Sequence, residues 1–258
     1  MDNRPGAQVL HRAATVLRTL SSGSDGGLGT GDVAARSGLS RSTAHRILFA
    51  LEEEGLVDFD QGTGRWFLGA ELHVLGAIAG RRFDITAHAS RVLRDLSRIT
   101  GESAFLSVRR GSETVCLVRE EGSFPLRSFV LYEGVRFPLG VASAGLAILA
   151  FMSPDAVTAH LDNQSLENSW GPQHRATKIR TRLEQTRARG YSLNPGLIVE
   201  GSWGMGAAVF DTDSEPRWAL SITGVESRFP PQRVTELGAL LMHHAHQLSA
   251  TIRHTPRQ

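Results

Sequence analysis

The stretch Ser40-Arg41-Ser42-Thr43-Ala44-His45-Arg46-Ile47-Leu48-Phe49-Ala50-Leu51 gathers two guanidinium groups, an imidazole and three hydroxyls. These are side chains that hydrogen-bond base edges and phosphates of a nucleic acid. Between Val33 and Leu51 the basic groups are Arg36, Arg41, His45 and Arg46, with no acid; the acids follow at Glu52, Glu53, Glu54 and Asp58. Ala44, Ile47, Leu48 and Leu51 recur at i, i+3, i+4 and i+7, which lines one side of an α-helix and turns that side inward. Ser42, His45, Arg46 and Phe49 then share the outer side, with Arg41 and Thr43 beside them in the first turn.

The elements before this stretch are those that would aim it. Thr30 is expected to cap a short helix through Arg36, Ser37-Gly38-Leu39 to turn the chain, and Ser40 to cap the next helix. Ala34 lets two helices approach, Gly38 supplies a positive φ and Ile47 locks the second helix on the first, a helix-turn-helix spacing. In that geometry the second helix offers its N-terminal residues to the major groove. Upstream, residues 1 to 6 are expected to fray, and Val9, Ala13, Val16, Leu17 and Leu20 form a helical stripe stopped by the Ser/Gly run 21–27. Downstream, Leu56 to Asp60 and Arg65 to Leu68 flank Gln61-Gly62-Thr63-Gly64, a hairpin. A hairpin directly after a helix-turn-helix is a wing, and Arg65 is the one base at its tip.

Composition bounds the reading. With 258 residues, 41% hydrophobic and 21% charged, the chain reads as one or two ordinary globular domains. No basic segment leads into an apolar run at the start, and stretches such as Ala142 to Met152 are too short to span a bilayer, so no membrane partner and a cytoplasmic location are expected. One cysteine, Cys116, excludes an internal disulfide and a cysteine-cluster metal site. Residues 1 to 69 hold seven Arg against eight Asp and Glu, so the basic groups are focused on one helix end rather than spread as a patch.

Glu71 to Arg82 reads as a linking helix with Leu72, Leu75 and Ile78 on one side. A second unit follows: a helix from Ile85 to Gly101, strands at Ser103 to Val108, Thr114 to Arg119 and Leu126 to Leu131, and helices at Ala144 to Phe151, Pro154 to Leu161 and Arg175 to Arg189. Strands return at Tyr191, Met205 to Phe210 and Trp218 to Thr223, and a helix from Pro231 to Ile252 closes the chain. Antiparallel strands surrounded by helices make an α+β fold. Along the last strand, alternation puts Leu220 and Ile222 on one face and Ser221 and Thr223 on the other.

Arg41-Ser42-Thr43-Ala44-His45-Arg46, the wing ending Gly64-Arg65-Trp66-Phe67-Leu68-Gly69, Phe137-Pro138-Leu139 through Ala144-Gly145-Leu146-Ala147, and Ala219-Leu220-Ser221-Ile222-Thr223-Gly224 resemble IclR-type transcriptional regulators. The resemblance runs over nearly the whole chain. It implies a winged helix-turn-helix domain at 1–69, a linker helix at 70–83, and a GAF-like α/β effector-binding and oligomerisation domain at 84–258, assembled as a homodimer or a dimer of dimers. It implies effector contacts at Ser143, Ala144, Asn194, Gly204, Ser221 and Thr223. Backbone N–H groups at the start of the Ala144 helix suit a carboxylate. Many members have His, Thr and Lys where this chain has Gly140, Ala142 and Leu146, and an acid and a cysteine where it has Asn194 and Gly204. With Trp203 and Met205 nearby, the expected effector is aromatic or apolar.

The expected function is sequence-specific binding of double-stranded DNA at a pseudo-palindromic operator, modulated by a small-molecule effector, with no cofactor and no catalysis. The expected DNA contacts are Ser40, Arg41, Ser42, Thr43, His45, Arg46 and Arg65; the bland alternative is a solvated helix face. Phe49 either touches a thymine methyl or packs under the wing. His243 and His246 share a helix face but lack further metal ligands, so a solvated or dimer-facing helix end is the preferred reading. Gly201 to Gly206 leads into a strand and lacks the helix dipole of a phosphate loop. Cys116 reads as a buried small hydrophobe, and Glu200 as a rim or surface acid. The rival function is a small-molecule enzyme using the winged module only for protein contact or dimerisation, but no nucleophile–base pair assembles from neighbouring residues.

Overall fold

The computed structural model describes residues 5–23, 26–80, 85–126 and 128–254. The expected frayed residues 1 to 4, Ser24 and Asp25 of the first stop, and the far end of the linker at 81–83 lie outside them. The chain divides into two compact units, Met1–Asp84 and Ile85–Gln258.

The first unit runs α1 (Pro5–Ser21), α2 (Thr30–Ser37), α3 (Arg41–Glu53), β1 (Val57–Asp60), β2 (Arg65–Leu68) and α4 (Ala70–Gly80). Helix therefore begins at Pro5, inside the span expected to fray. Its core joins Val16 and Leu20 of α1, Val33 of α2, Leu48 and Leu51 of α3, and Leu28, Val57 and Trp66 around the hairpin. Gly38 takes φ 68° and returns its N–H toward the end of α2, the left-handed cap that lets the chain reverse into α3. Thr30 does not cap α2: Gly29 holds that position, and the Thr30 hydroxyl accepts from Trp66 Nε1 at 3.0 Å. β1 and β2 pair antiparallel from Val57↔Leu68 to Asp60↔Arg65, and Leu28 bridges Trp66 from outside the hairpin.

The second unit holds α5 (Ile85–Thr100), β3 (Ser103–Arg110), β4 (Glu113–Glu120), β5 (Arg136–Pro138), α6 (Ser143–Ala150), α7 (Pro154–Asn163), α8 (Leu166–Trp170) and a 3-10 turn (Pro172–His174). It continues through α9 (Ala176–Arg189), β6 (Ser192–Pro195), β7 (Ser202–Phe210), β8 (Pro216–Val225), a second 3-10 turn (Glu226–Arg228) and α10 (Pro231–His254). Its six strands form one antiparallel sheet in the order β5-β4-β3-β8-β7-β6. One face carries Leu106, Met205, Ala207, Leu220 and Ile222 against Leu93 and Leu96 of α5 and Leu241 and Leu248 of α10. The other carries Phe105, Cys116 and Ala219 against α6, with Val157 and Leu161 of α7 and Ile179 and Leu183 of α9 beyond it. Each fully buried Leu, Ile, Met or Phe in these layers contributes about 1.5–3 kcal/mol relative to exposure.

Leu126 to Leu131 is not a strand; β5 is the short Arg136–Pro138. Leu126 and Phe129 stand 64% and 75% exposed while Leu131 is buried, and no strand pairing involves the described residues of this segment. Among the described residues, no helix is long and apolar enough to cross a membrane.

Candidate functional site

Two regions collect the candidate side chains. On α3, Ala44 and Leu48 are fully buried and Leu51 nearly so, while Arg41, Ser42, His45 and Arg46 are all exposed. Ser40 caps α3: its Oγ accepts from Thr43 N at 3.2 Å and lies 2.8 Å from Thr43 Oγ1 and 3.1 Å from Ser42 Oγ. The Ser40 and Thr43 hydroxyls thus hold the helix start, and Thr43 is half-buried, leaving Arg41, Ser42, His45 and Arg46 as the outward set. Phe49 is 46% exposed and packs edge-on to Trp66 with ring centroids 5.5 Å apart, while His45 tilts over it at 4.6 Å. Phe49 therefore joins the recognition helix to the wing and sets the His45 ring.

The wing is a weaker phosphate clamp than its arginine suggests. Arg65 Nη1 donates to the Gly27 carbonyl at 2.9 Å and to that of Gly26 at 3.4 Å, tying β2 to the segment before α2. The tip is closed by Asp60, whose carboxylate accepts from Gly62 N at 2.8 Å and Thr63 N at 3.3 Å. Hydrogen bonds from the Thr63 side chain and then from the Gly62 and Thr63 backbones hold the Asp60 carboxyl below its usual range. An ionised acid accordingly sits in the tip.

A cavity lies where α6 meets the sheet. Register places Asn194, Gly204, Thr223 and Ser103 on one rung, and Ser192, Gly206, Ser221 and Phe105 on the next, all on the α6 face. Glycine at 204 and 206 lets α6 approach: a Cβ at Gly206 would stand 2.8 Å from the Ser143 carbonyl oxygen, and one at Gly204 3.0 Å from Ser143 Oγ. Ser192 Oγ donates to that carbonyl at 2.7 Å. The N-cap of α6 is Ala142, which has no side-chain acceptor to offer, so the first N–H groups of α6 open beside the cavity. Val130, Leu131, Phe137 and Ile198 supply apolar walls, and Ser143, Asn194, Ser202 and Thr223 supply polar ones. Thr223 Oγ1 and Ser221 Oγ are buried without a hydrogen-bond partner; Thr223 lines the cavity, where a ligand's polar group would satisfy it.

Not every expected effector contact reaches this space. Met205 does not: it is fully buried on the opposite face of the sheet, in the core with α5 and α10, because strand alternation sends it away from its neighbour Gly204. Trp203 shares that parity; it borders the cavity, but its indole stacks on Phe229 with centroids 5.9 Å apart. Asn194 borders the cavity with its amide engaged, donating to the Val141 carbonyl at 2.6 Å and accepting from Leu197 N at 3.1 Å, so it clamps two wall segments together. Ala144 and Ser221 are buried and are not among the lining residues. Val130 and Leu131 were hidden by the strand expected at 126–131, while Phe137 stood in a motif already marked. The loop carrying Val130 is pinned to β7 through Ser128 Oγ and Ser202 Oγ, 2.6 Å apart.

The space is small, about 30 Å³. A ligand bearing a ring must widen it. Cys116 is 2% exposed, and burial first, then Glu133, push its thiol up to about 12, so it packs rather than attacks.

The C-terminal part of the chain, residues 78–250, matches the family model described as the bacterial transcriptional regulator IclR C-terminal domain, and residues 9–61 match the IclR helix-turn-helix domain. The glycerol operon regulatory protein of Streptomyces griseus is 34% identical over 224 residues, covering 87% of each chain. The transcriptional repressor IclR of Escherichia coli strain K12 is 29% identical over 94% of this chain and 89% of its own. In fold, the chain is similar to an IclR homologue of Microbacterium hydrocarbonoxydans solved in complex with 4-hydroxybenzoate, at 22% identity and a TM-score of 0.77 over 96% of this chain and all of that one. An exposed basic helix tip in one unit, a cavity under a helix end in the other, and these matches across both units place the chain in the IclR family of transcriptional regulators, not among enzymes.

Proposed function

We propose that this regulator reads a pseudo-palindromic operator with two copies of α3, and that an aromatic or apolar carboxylate in the α6 cavity changes operator affinity. Arg41, Ser42, His45 and Arg46 contact base edges, with Ser40, Thr43 and Arg65 toward the phosphates. The observation that carries this reading is the exposure of those four outward side chains on a helix whose opposite side is locked in the core. Two copies would set their helices about 34 Å apart in successive major grooves. The outer side of α4, where Val74, Leu75 and Ile78 stand 48%, 48% and 58% exposed, suits a second copy of the chain.

The effector class follows from the lining. Val130, Leu131, Phe137 and Ile198 accept a ring, while the open N–H groups of α6 and the Thr223 hydroxyl supply polar contacts. The homologue holding 4-hydroxybenzoate supports the same chemistry. The ligand shifts DNA affinity only by its differential affinity for two arrangements of the protein. Gel shift on operator fragments with and without 4-hydroxybenzoate, paired with calorimetry, tests the reading. Release or tightening of DNA by the aromatic acid is expected. Binding of small hydrophilic acids alone would overturn the effector class.

A further inference from the structure

A cavity of about 30 Å³ takes a ring only if one of its walls moves, and the walls are held unequally. The floor is four strands in register, with Asn194, Gly204, Thr223 and Ser103 on one rung. The start of α6 is seated on glycine: a Cβ at Gly206 would stand 2.8 Å from the Ser143 carbonyl oxygen, to which Ser192 Oγ donates at 2.7 Å. Asn194 clamps the Val141 carbonyl at 2.6 Å and Leu197 N at 3.1 Å. Trp203 is braced by Phe229, and next to Phe229 stands a buried charge cluster. There Glu102, 2% exposed, accepts from Arg228 Nε at 2.8 Å and Arg233 Nη1 at 2.9 Å, and the Thr100 carbonyl accepts from Nη2 of both arginines at 3.2 and 2.6 Å. Displacing that wall would unpair charges around a buried carboxylate, which is strongly unfavourable.

The remaining wall is the strap 128–132, which supplies Val130 and Leu131 to the lining. It is anchored on both sides. Upstream, Phe124 N donates to the Gly101 carbonyl at 3.1 Å, and the Arg228 guanidinium lies 4.3 Å from the Phe124 ring centroid. Downstream, Gly134 N donates to the Cys116 carbonyl at 2.8 Å and Cys116 N to the Val135 carbonyl at 3.0 Å. Between these anchors, among the described residues, no backbone–backbone hydrogen bond ties 128–131 to the rest of the chain. Two things hold the strap down: apolar contact of Val130 and Leu131 with the α6 core, and the Ser128 and Ser202 hydroxyls, 2.6 Å apart. Apolar contact is non-directional, so a ring under the strap keeps Val130 and Leu131 covered. The hydroxyl pair is directional and is lost when the strap rises.

We propose that the strap 128–132 is the wall that lifts to admit the effector, and that the Ser128–Ser202 hydroxyl pair holds it shut and thereby limits affinity. The inference rests on the reading of this cavity as the effector site and adds how that site opens. A ring resident in so small a space keeps the strap raised, so the hydroxyl pair is broken in the bound state as well as during entry. Only the raised fraction of molecules is competent to bind, and the apparent affinity is reduced by that fraction.

Stopped-flow fluorescence and calorimetry on the full chain with 4-hydroxybenzoate test this. Ser128→Ala is expected to raise the association rate and the affinity together by about two- to tenfold, the worth of one hydrogen bond, with the dissociation rate unchanged. A purely structural role for Ser128 would weaken binding or leave it alone, so either result overturns the inference. The Ser128→Cys/Ser202→Cys chain tests the opposite extreme. Once oxidised it is expected to associate at least about tenfold more slowly, and reduction is expected to restore the rate; Cys116 is buried and stays out of the exchange. Cysteines that do not join, or an oxidised chain that associates as fast as the reduced one, would also overturn it. Gly204→Val separates the two layers. If it abolishes acid binding while Ser128→Ala and the crosslink change nothing, the cavity stands and the strap falls; if the wild type binds no acid, both fall.

Discussion

The outer side of α3 and the α6 face of the sheet use polar side chains in opposite ways. On α3 the charged groups are solvated, and the helix is held by Ala44, Leu48 and Leu51 behind them. Under α6 the polar atoms are buried, and two of them, Ser221 Oγ and Thr223 Oγ1, lack a partner. The first arrangement is stable before its partner arrives, because water satisfies the guanidinium groups until phosphate or base replaces it. The second carries a cost that binding removes. Under the proposed function the two suit different tasks: a tip presented to DNA before contact, and a cavity whose resting state a ligand improves.

The largest expected effect comes from removing the support of the exposed region rather than the region itself. Leu48→Ala leaves a cavity in the fully buried centre of the winged unit and is expected to destabilise that unit by about 2–5 kcal/mol. Chemical denaturation followed through the tryptophan signal checks it. A loss under about 1 kcal/mol would mean that α3 is not fixed by its inner side.

The buried region is next. Gly204→Val places two methyl groups where even a Cβ stands 3.0 Å from Ser143 Oγ. Effector affinity is expected to fall at least about tenfold with operator affinity in the absence of effector unchanged. Calorimetry paired with fluorescence anisotropy on DNA reads both. A variant that still binds effector normally would move the site elsewhere.

A pH titration sharpens the contrast further. His160, whose Nε2 lies 2.9 Å from the Leu139 carbonyl, and His174 are held below their usual 6.5 mainly by burial. The unfolded chain therefore takes up their protons first as pH falls. The stability they contribute is complete above 6.5 and is lost as pH drops through their lower folded values. The melting temperature of the second unit should decline between about pH 7.5 and about pH 5.5, and His160→Gln should flatten the decline. An unchanged slope in that variant would assign the dependence to other groups.

The smallest expected effect is on stability without ligand. Thr223→Val removes a hydroxyl that bonds nothing in the folded chain and is expected to change stability by less than about 0.5 kcal/mol, while weakening the effector. A large loss of stability in the ligand-free variant would show that Thr223 is structural.

These two regions also differed in how far the residues alone disclosed them. The α3 helix was readable because its signals are local: a serine cap, a turn glycine and an apolar repeat lie within a few residues of the groups they position. The Leu220/Ile222 and Ser221/Thr223 division was readable for the same reason, since alternation needs only one strand. Met205 was misplaced because two adjacent strand residues face opposite ways, and choosing the one that meets α6 depends on pairing with β6 and β8. The loop at 126–131 looked like a strand because Phe129, Val130 and Leu131 make a short β-prone apolar run, but edge pairing went to Arg136–Pro138. The tie from Arg65 to the Gly27 carbonyl, which steadies the wing, was not legible because it spans 38 positions.

The most direct test is selection of duplexes from a random pool by the wild-type protein and by the Arg41→Ala/Arg46→Ala variant, with melting curves and calorimetry confirming that the variant folds and binds effector. The wild type is expected to enrich a site of two inverted half-sites about one helical turn apart. The variant is expected to enrich none, with affinity for the wild-type site lower by about two orders of magnitude. Enrichment of the same site by the folded double variant would show that the tip of α3 does not read DNA.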